Sequence, residues 1–123
     1  METTQGKAVN AFMAITRLAS SPMPSFAAYK LFKLKKLLRD AVEFQTEQEK
    51  KLVDEMGGTV NDSNGRVMFD DPEKYLEFSM KQKELQEMEY EVDSEKLVMY
   101  MKELPNISIA DIETLEPFIE WKE

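Results

Sequence analysis

Residues 25–56 contain neither proline nor glycine, and strong stop signals bracket them: Pro22 and Pro24 on one side, Gly57 and Gly58 on the other. Two prolines within three residues cannot continue a helix, and a glycine pair supplies a permissive end. This run predicts one long helix, with Ser25 as its N-cap. Its apolar stripe is Ala28, Leu31, Leu34, Leu38, Ala41 and Val42, widened by Phe32, Leu37 and Phe44. From Gln45 to Lys51 every residue is polar, before Leu52, Val53 and Met56 resume the pattern. At 1.5 Å per residue such a helix is about 48 Å long. Its polar middle cannot be buried on every side, so the helix lies along one partner helix or projects from a small body.

The other elements are shorter. Ala8, Ala11, Phe12, Ile15, Leu18 and Ala19 predict a helix over 4–19. Residues 59–69 read as a hairpin, with Val60 and Val67–Phe69 flanking the turn-forming NDSNG. Asp71, Pro72 and Glu73 open a helix over 72–87, whose apolar positions are Tyr75, Phe78, Leu85 and Met88. The period then changes to two: Met88, Tyr90 and Val92 alternate with acids, a strand over 88–93. A second strand is expected over 96–102. Ser108 and Asp111 cap a short helix over 109–116, with Ile109, Ile112 and Leu115 on its apolar side, and Pro117 ends it. The expected architecture is a single α+β domain over 1–123, mostly helical, as a long-helix hairpin or three-helix array with a small antiparallel β element.

Several chemistries are excluded or disfavoured by composition. The chain has no cysteine and no histidine. Disulfides, thiolate nucleophiles and cysteine metal sites are therefore impossible, and the usual general base and transition-metal ligand are missing. Catalysis would have to run on carboxylates, lysine or tyrosine, and no motif for that is visible. No catalytic, cofactor or metal site is expected. No stretch reaches the roughly 18 apolar residues of a membrane span, and Thr16 and Arg17 interrupt the N-terminal apolar run that a signal peptide would need. The expectation is a protein kept in a reducing cytoplasm.

Charge is distributed unevenly. The formal net charge is −8, yet residues 3–39 hold seven lysines and arginines and no acid. Lys30, Lys33, Lys35, Lys36 and Arg39 are expected on the solvated back of the long helix, complementing the acidic third helix from Glu73 to Glu89. Three other occupants of this face are an acidic patch on another subunit, nucleic acid, and a membrane surface. Net charge opposes nucleic acid, and the acidic continuation EFQTEQE opposes a membrane. The nine methionines are expected mainly in the core; an adaptable surface of Met23, Met80, Met88, Met99 and Met101 is the alternative. The tail carrying Phe118, Ile119 and Trp121 either docks back on the domain or serves as an exposed anchor, since aromatic residues are frequent hot spots. The candidate interface residues are thus Lys33, Lys36, Arg39, Phe118, Ile119 and Trp121.

The order of motifs resembles a family of small tailed-phage and prophage proteins of unknown function from Gram-positive bacteria. Its members carry a proline followed by an Ala-Tyr-Lys-Leu helix start, matched by Pro24, Ala28, Tyr29, Lys30 and Leu31. A later Phe and a Lys-Leu pair are matched by Phe44, Lys51 and Leu52. An Asn-Gly hairpin is matched by Asn64 and Gly65, and a Phe/Glu/Leu helix by Phe78, Glu84 and Leu85. The closing Leu-Glu-Pro-Phe-Ile is matched by residues 115–119. The resemblance spans about residues 10–120 and departs from the family pattern at MEYEVDSEKLVMYMKEL. It implies phage origin and presence in the host bacterial cytoplasm or the virion. It implies no reaction or cofactor. Three function classes follow. The chain is a structural or assembly component of the particle, with the tail region included, acting through self-association or through phage or host protein. Alternatively it is a small acidic inhibitor of a host defence protein. A carboxylate enzyme is the least favoured of the three.

Overall fold

The computed structural model describes residues 1–123 and has an α+β, mostly helical fold. A strand β1 (Glu2–Thr4) leads into α1 (Gln5–Leu18), whose start is capped by the Thr4 hydroxyl accepting from the Lys7 amide. The segment containing Pro22 and Pro24 turns the chain into α2 (Ser25–Glu55). Ser25 is the first helical residue and not the cap: Pro24 takes the cap position, and no side chain caps the helix. The two helices form an antiparallel hairpin, in which the buried Gln5 amide at the start of α1 donates to the Ala41 carbonyl midway along α2.

The packing seam is narrow. On α2 the buried residues are Ala27, Leu31, Leu34, Leu38, Ala41 and Gln45, spaced by alternating fours and threes, with Val53 farther along. That is the seam of a two-helix coil, and it leaves most of the helix circumference in water. Ala28, Phe32, Leu37 and Phe44, expected in the stripe, are exposed, and Ala27 is buried instead. The complementary surface of α1 is Ala8, Ala11, Ala14, Ile15 and Leu18. Its three alanines leave room for the leucines of α2.

The end of α2 is a Schellman motif. The Gly58 amide donates to the Val53 carbonyl at 2.9 Å, the Gly57 amide to Asp54 at 3.4 Å, and Gly57 takes φ 71°. The hairpin follows as β2 (Thr59–Val60) and β3 (Val67–Met68), with Gly65 at φ 69° in its loop. Asp71 caps α3 (Pro72–Glu87) by accepting from the Glu73 amide at 2.9 Å. Phe78 is the one fully buried residue of α3; Tyr75 and Met88 are exposed, contrary to the expected stripe. α3 packs its Tyr75 and Phe78 rings against Phe69, and it meets α2 through Gln82, which donates to Glu49 at 2.9 Å.

The last third closes the core. β4 (Glu89–Glu91) pairs antiparallel with β1, Thr3 facing Tyr90. β5 (Leu97–Tyr100) passes through a 3-10 turn (Met101–Glu103) and α4 (Ile109–Leu115) into β6 (Ile119–Lys122). β6 lies parallel to β5, so this is a β-α-β unit and the β content is not purely antiparallel. β1 and β6 were not expected.

The tail belongs to the core. Phe118 is 0% exposed and Ile119 2% exposed, and Trp121 packs against the same cluster. The exposed-anchor reading of Phe118, Ile119 and Trp121 is therefore corrected: strand pairing with β5 turns Ile119 and Trp121 inward, and Glu120 and Lys122 outward. The methionine expectation is corrected too. Met99 alone is in the core, while Met13, Met68, Met80, Met88 and Met101 are exposed.

Candidate functional site

The residues expected to form an interface separate into two groups. Lys33, Lys36 and Arg39 stand on the outer surface of α2, whereas Phe118, Ile119 and Trp121 lie in or against the core under β5. The structure does not bring the two groups into one surface. What surrounds the lysines is a set of aromatic rings, of which periodicity had assigned only Phe32 to the margin of the core.

Successive helical residues turn by about 100°. With Leu31, Leu34 and Leu38 facing α1, this rotation sends Tyr29, Phe32 and Lys36 to the opposite side of α2, and Phe26 to its flank. Phe26, Tyr29 and Phe32 are 56%, 58% and 51% exposed. Each ring sits four residues before a lysine that reaches back over it. Lys30 Nζ lies 5.6 Å from the Phe26 centroid, Lys33 Nζ 4.9 Å from Tyr29, and Lys36 Nζ 5.6 Å from Phe32. The Tyr29 and Phe32 rings stack on each other at 6.4 Å with 27° between their planes. The result is a ladder of alternating rings and ammonium groups along the first half of the helix. Lys35, on the other flank, covers Phe12 of α1 at 5.0 Å.

The lysines are not equivalent. Lys30 is tied inward: its Nζ donates to the Val98 carbonyl of β5 at 3.0 Å and lies 3.9 Å from the carboxylate of Glu103, a buried acid. It is therefore part of the fold, as is Arg17, which joins α1 to α4 through Asp111 at 2.8 Å. Lys33, Lys36 and Arg39 form no ion pair with protein carboxylates. The expectation that the basic face is neutralised by α3 is corrected here. α3 runs beside the far half of α2, where Gln82 meets Glu49, and the basic residues occupy the near half.

An open apolar groove of about 440 Å³ adjoins the ladder. It lies where α1 ends and α2 begins, lined by Ile15, Pro22, Met23, Leu31 and Phe32, with Lys35 at its rim. The groove and ladder share Phe32. An apolar side chain flanked by carboxylates would find both its pocket and its counter-charges here.

Elsewhere the titratable groups serve the fold. The Tyr90 phenol is held above its ordinary value of 10.0, first by burial and then by the nearby Asp40 carboxylate, and its hydroxyl donates to the Leu37 carbonyl at 2.9 Å. No three carboxylates converge as a metal ligand set. No helix is long and apolar enough to cross a membrane.

Sequence reasoning placed the basic residues on the solvent side but missed the ring ladder. The signal was present: an aromatic residue followed by lysine four positions later occurs three times between Phe26 and Lys36, at steps of three. No protein-family model, curated protein or solved structure matches the chain.

Proposed function

We propose that this chain is a non-enzymatic phage protein that works by binding protein, as a structural or assembly component of the particle, and that the outer face of α2 is its docking surface. The carrying observation is that Phe26, Tyr29 and Phe32 are more than half exposed on the parts of α2 that the core does not use. A large aromatic side chain buries roughly 150–250 Å² when fully covered. Covering the half that remains exposed would contribute roughly 2–3 kcal/mol per ring at about 25 cal/mol per Å². Lysines already over the rings add cationic character and favour an acidic partner surface. The phage assignment rests on the order of motifs from Pro24 to the 115–119 segment, and the host cytoplasm and the virion are the sites that go with it.

The test is particle incorporation. The variant Phe26→Gln/Tyr29→Gln/Phe32→Gln should keep the helical circular-dichroism signal, because glutamine is a good helix former and none of the rings is in the core. Wild-type chain should sediment with purified particles in stoichiometric amount, and the variant should not. If wild-type chain is absent from particles, the assembly reading fails. Metal-dependent turnover of nuclease, phosphatase or glycosidase substrates, abolished by one Asp or Glu substitution, would overturn the non-enzymatic reading.

A second reading is supported by the acidic balance, 24 acids against 16 bases: a small inhibitor that binds a host defence protein. It predicts a chain found only in the soluble fraction of infected cells, in a defined complex with one host protein.

A further inference from the structure

We infer that copies of this chain join head to tail, the cationic ring ladder at the start of α2 on one copy seating against the acidic, apolar surface at the far end of the next. The inference deepens the assembly reading and rests on its premise that the α2 face binds protein.

The molecule is bipolar along a single helix. α2 has 31 residues, about 46 Å at 1.5 Å each. Its first half, residues 25–39, holds five bases and no acid. Its end leads into the hairpin and the first half of α3, and residues 54–80 hold seven acids against two bases. Both ends also expose apolar area. Opposite the rings of the near end, the far end presents Val60, Met68, Leu76 and Met80, all more than half exposed.

These two surfaces cannot satisfy each other within one molecule, because the length of α2 holds them apart. The free state of Lys33, Lys36 and Arg39 follows from that separation. A two-fold dimer that pairs like patches would set cations against cations, and one that lays near end on far end needs both patches on one face. The rings point away from α1, whereas α3, which carries Leu76 and Met80, packs on α1 with Gln86 against Gly6. Only a heterologous contact matches sign with sign and apolar area with apolar area. Methionine thioethers suit such a contact, since they adapt to aromatic faces. A heterologous contact repeats, and so gives a ring if its rotation closes or a filament if it does not.

The ring ladder would also suit a single-stranded nucleic acid, whose bases stack on aromatic side chains between cations. That ligand leaves the acidic, apolar far end without a counterpart. A second copy accounts for both surfaces at once.

The experiment uses two blocked chains. Lys33→Glu/Lys36→Glu spoils the near end, and Leu76→Asp/Met80→Asp spoils the far end, so that the two spoiled ends repel each other. All four positions are exposed, and circular dichroism checks that both variants fold. By sedimentation velocity, wild-type chain should grow in mass with concentration, and its association should weaken at least tenfold between about 50 mM and about 500 mM salt. Each variant alone should stay monomeric. Mixed, they should form one-to-one dimers that grow no further, because each retains the end that the other lacks. Wild-type chain that is monomeric at about 1 mM overturns the inference. So does a mixture that stays monomeric, or a fluorescent oligothymidylate that saturates the Lys33/Lys36 face of a monomeric chain. If the chain enters particles while its copies do not associate, head-to-tail joining fails and protein binding through α2 stands.

Discussion

Truncating Phe118 should remove much of the stability of this domain. The ring is 0% exposed in the main core, beside Leu115 and Ile119. Phe118→Ala loses the transfer free energy of the ring and leaves a cavity that its neighbours only partly fill, a cost of about 3–5 kcal/mol. Area gives a similar figure: roughly 150–250 Å² at about 25 cal/mol per Å² is about 4–6 kcal/mol, an upper value because the unfolded chain already covers some of its own surface. A domain of this size is stable by about 5–15 kcal/mol in total. The melting temperature should therefore fall by roughly 10–20 °C, at a few degrees per kcal/mol. The matched control is Phe32→Ala, which removes the same ring from an exposed position and should cost less than about 1 kcal/mol. Urea titration followed by helical circular dichroism gives both values from midpoints at constant slope. If the two substitutions cost the same, or if Phe118→Ala shifts stability by less than about 0.5 kcal/mol, the docking of β6 against β5 is wrong, and the tail returns to its reading as an exposed anchor.

Three further outcomes are expected. Gly58→Ala sets a Cβ 2.5 Å from Cε1 of Phe69, so the ring must move and the cost should be about 1–3 kcal/mol by urea titration; Gly57→Ala meets open space but keeps φ 71°, and should cost about 1 kcal/mol. Lys30→Met strands the buried Glu103 carboxylate and should destabilise by about 2–4 kcal/mol, whereas Lys30→Met/Glu103→Met should recover most of that loss; a double variant no better than the single one would show that the pair is not coupled. Because the folded state holds the Tyr90 phenol above its unfolded value, it keeps that proton more tightly than the unfolded state does. The resulting stabilisation is complete below pH 10.0 and is lost as pH rises through the folded value, so stability should fall more steeply above pH 10.0 in wild type than in Tyr90→Phe.

Local signals carried the helices. The proline pair, the glycine pair and the Asp71-Pro72 start each act within a turn of the element they bound, and the strong turn signal NDSNG marked the hairpin. β1 and β6 left no such trace. Each is three or four residues long, and its partner lies far along the chain: Thr3 faces Tyr90, and Ile119 faces Leu97 across the 3-10 turn and α4. Pairing of that kind is decided by what the tertiary fold brings alongside. The aromatic residues of α2 were misplaced for a different reason. A stripe widened to include Phe32, Leu37 and Phe44 suits a helix lying in a broad core, but small alanines on α1 accept only a two-residue seam, and wider positions turn to water. The candidate site was therefore legible in its charges and hidden in its rings.

The short reach of α1 also divides α2 dynamically. α1 begins beside Ala41 and Gln45; beyond the reach of α1, α2 buries only Val53, and α3 contributes Phe78 alone. Amides between Leu31 and Ala41 should exchange with solvent only when the whole domain unfolds. Those from Thr46 onward, with the hairpin and the first turns of α3, should exchange through a smaller opening of lower free energy, which unzips the far end and leaves the core closed. A protease should find its first cut between Gly57 and Arg66 for the same reason, and the fragment up to Met56 should stay associated with the rest. Anything that settles on the far end would suppress this opening, so its arrival can be read in the protection of amides it never touches.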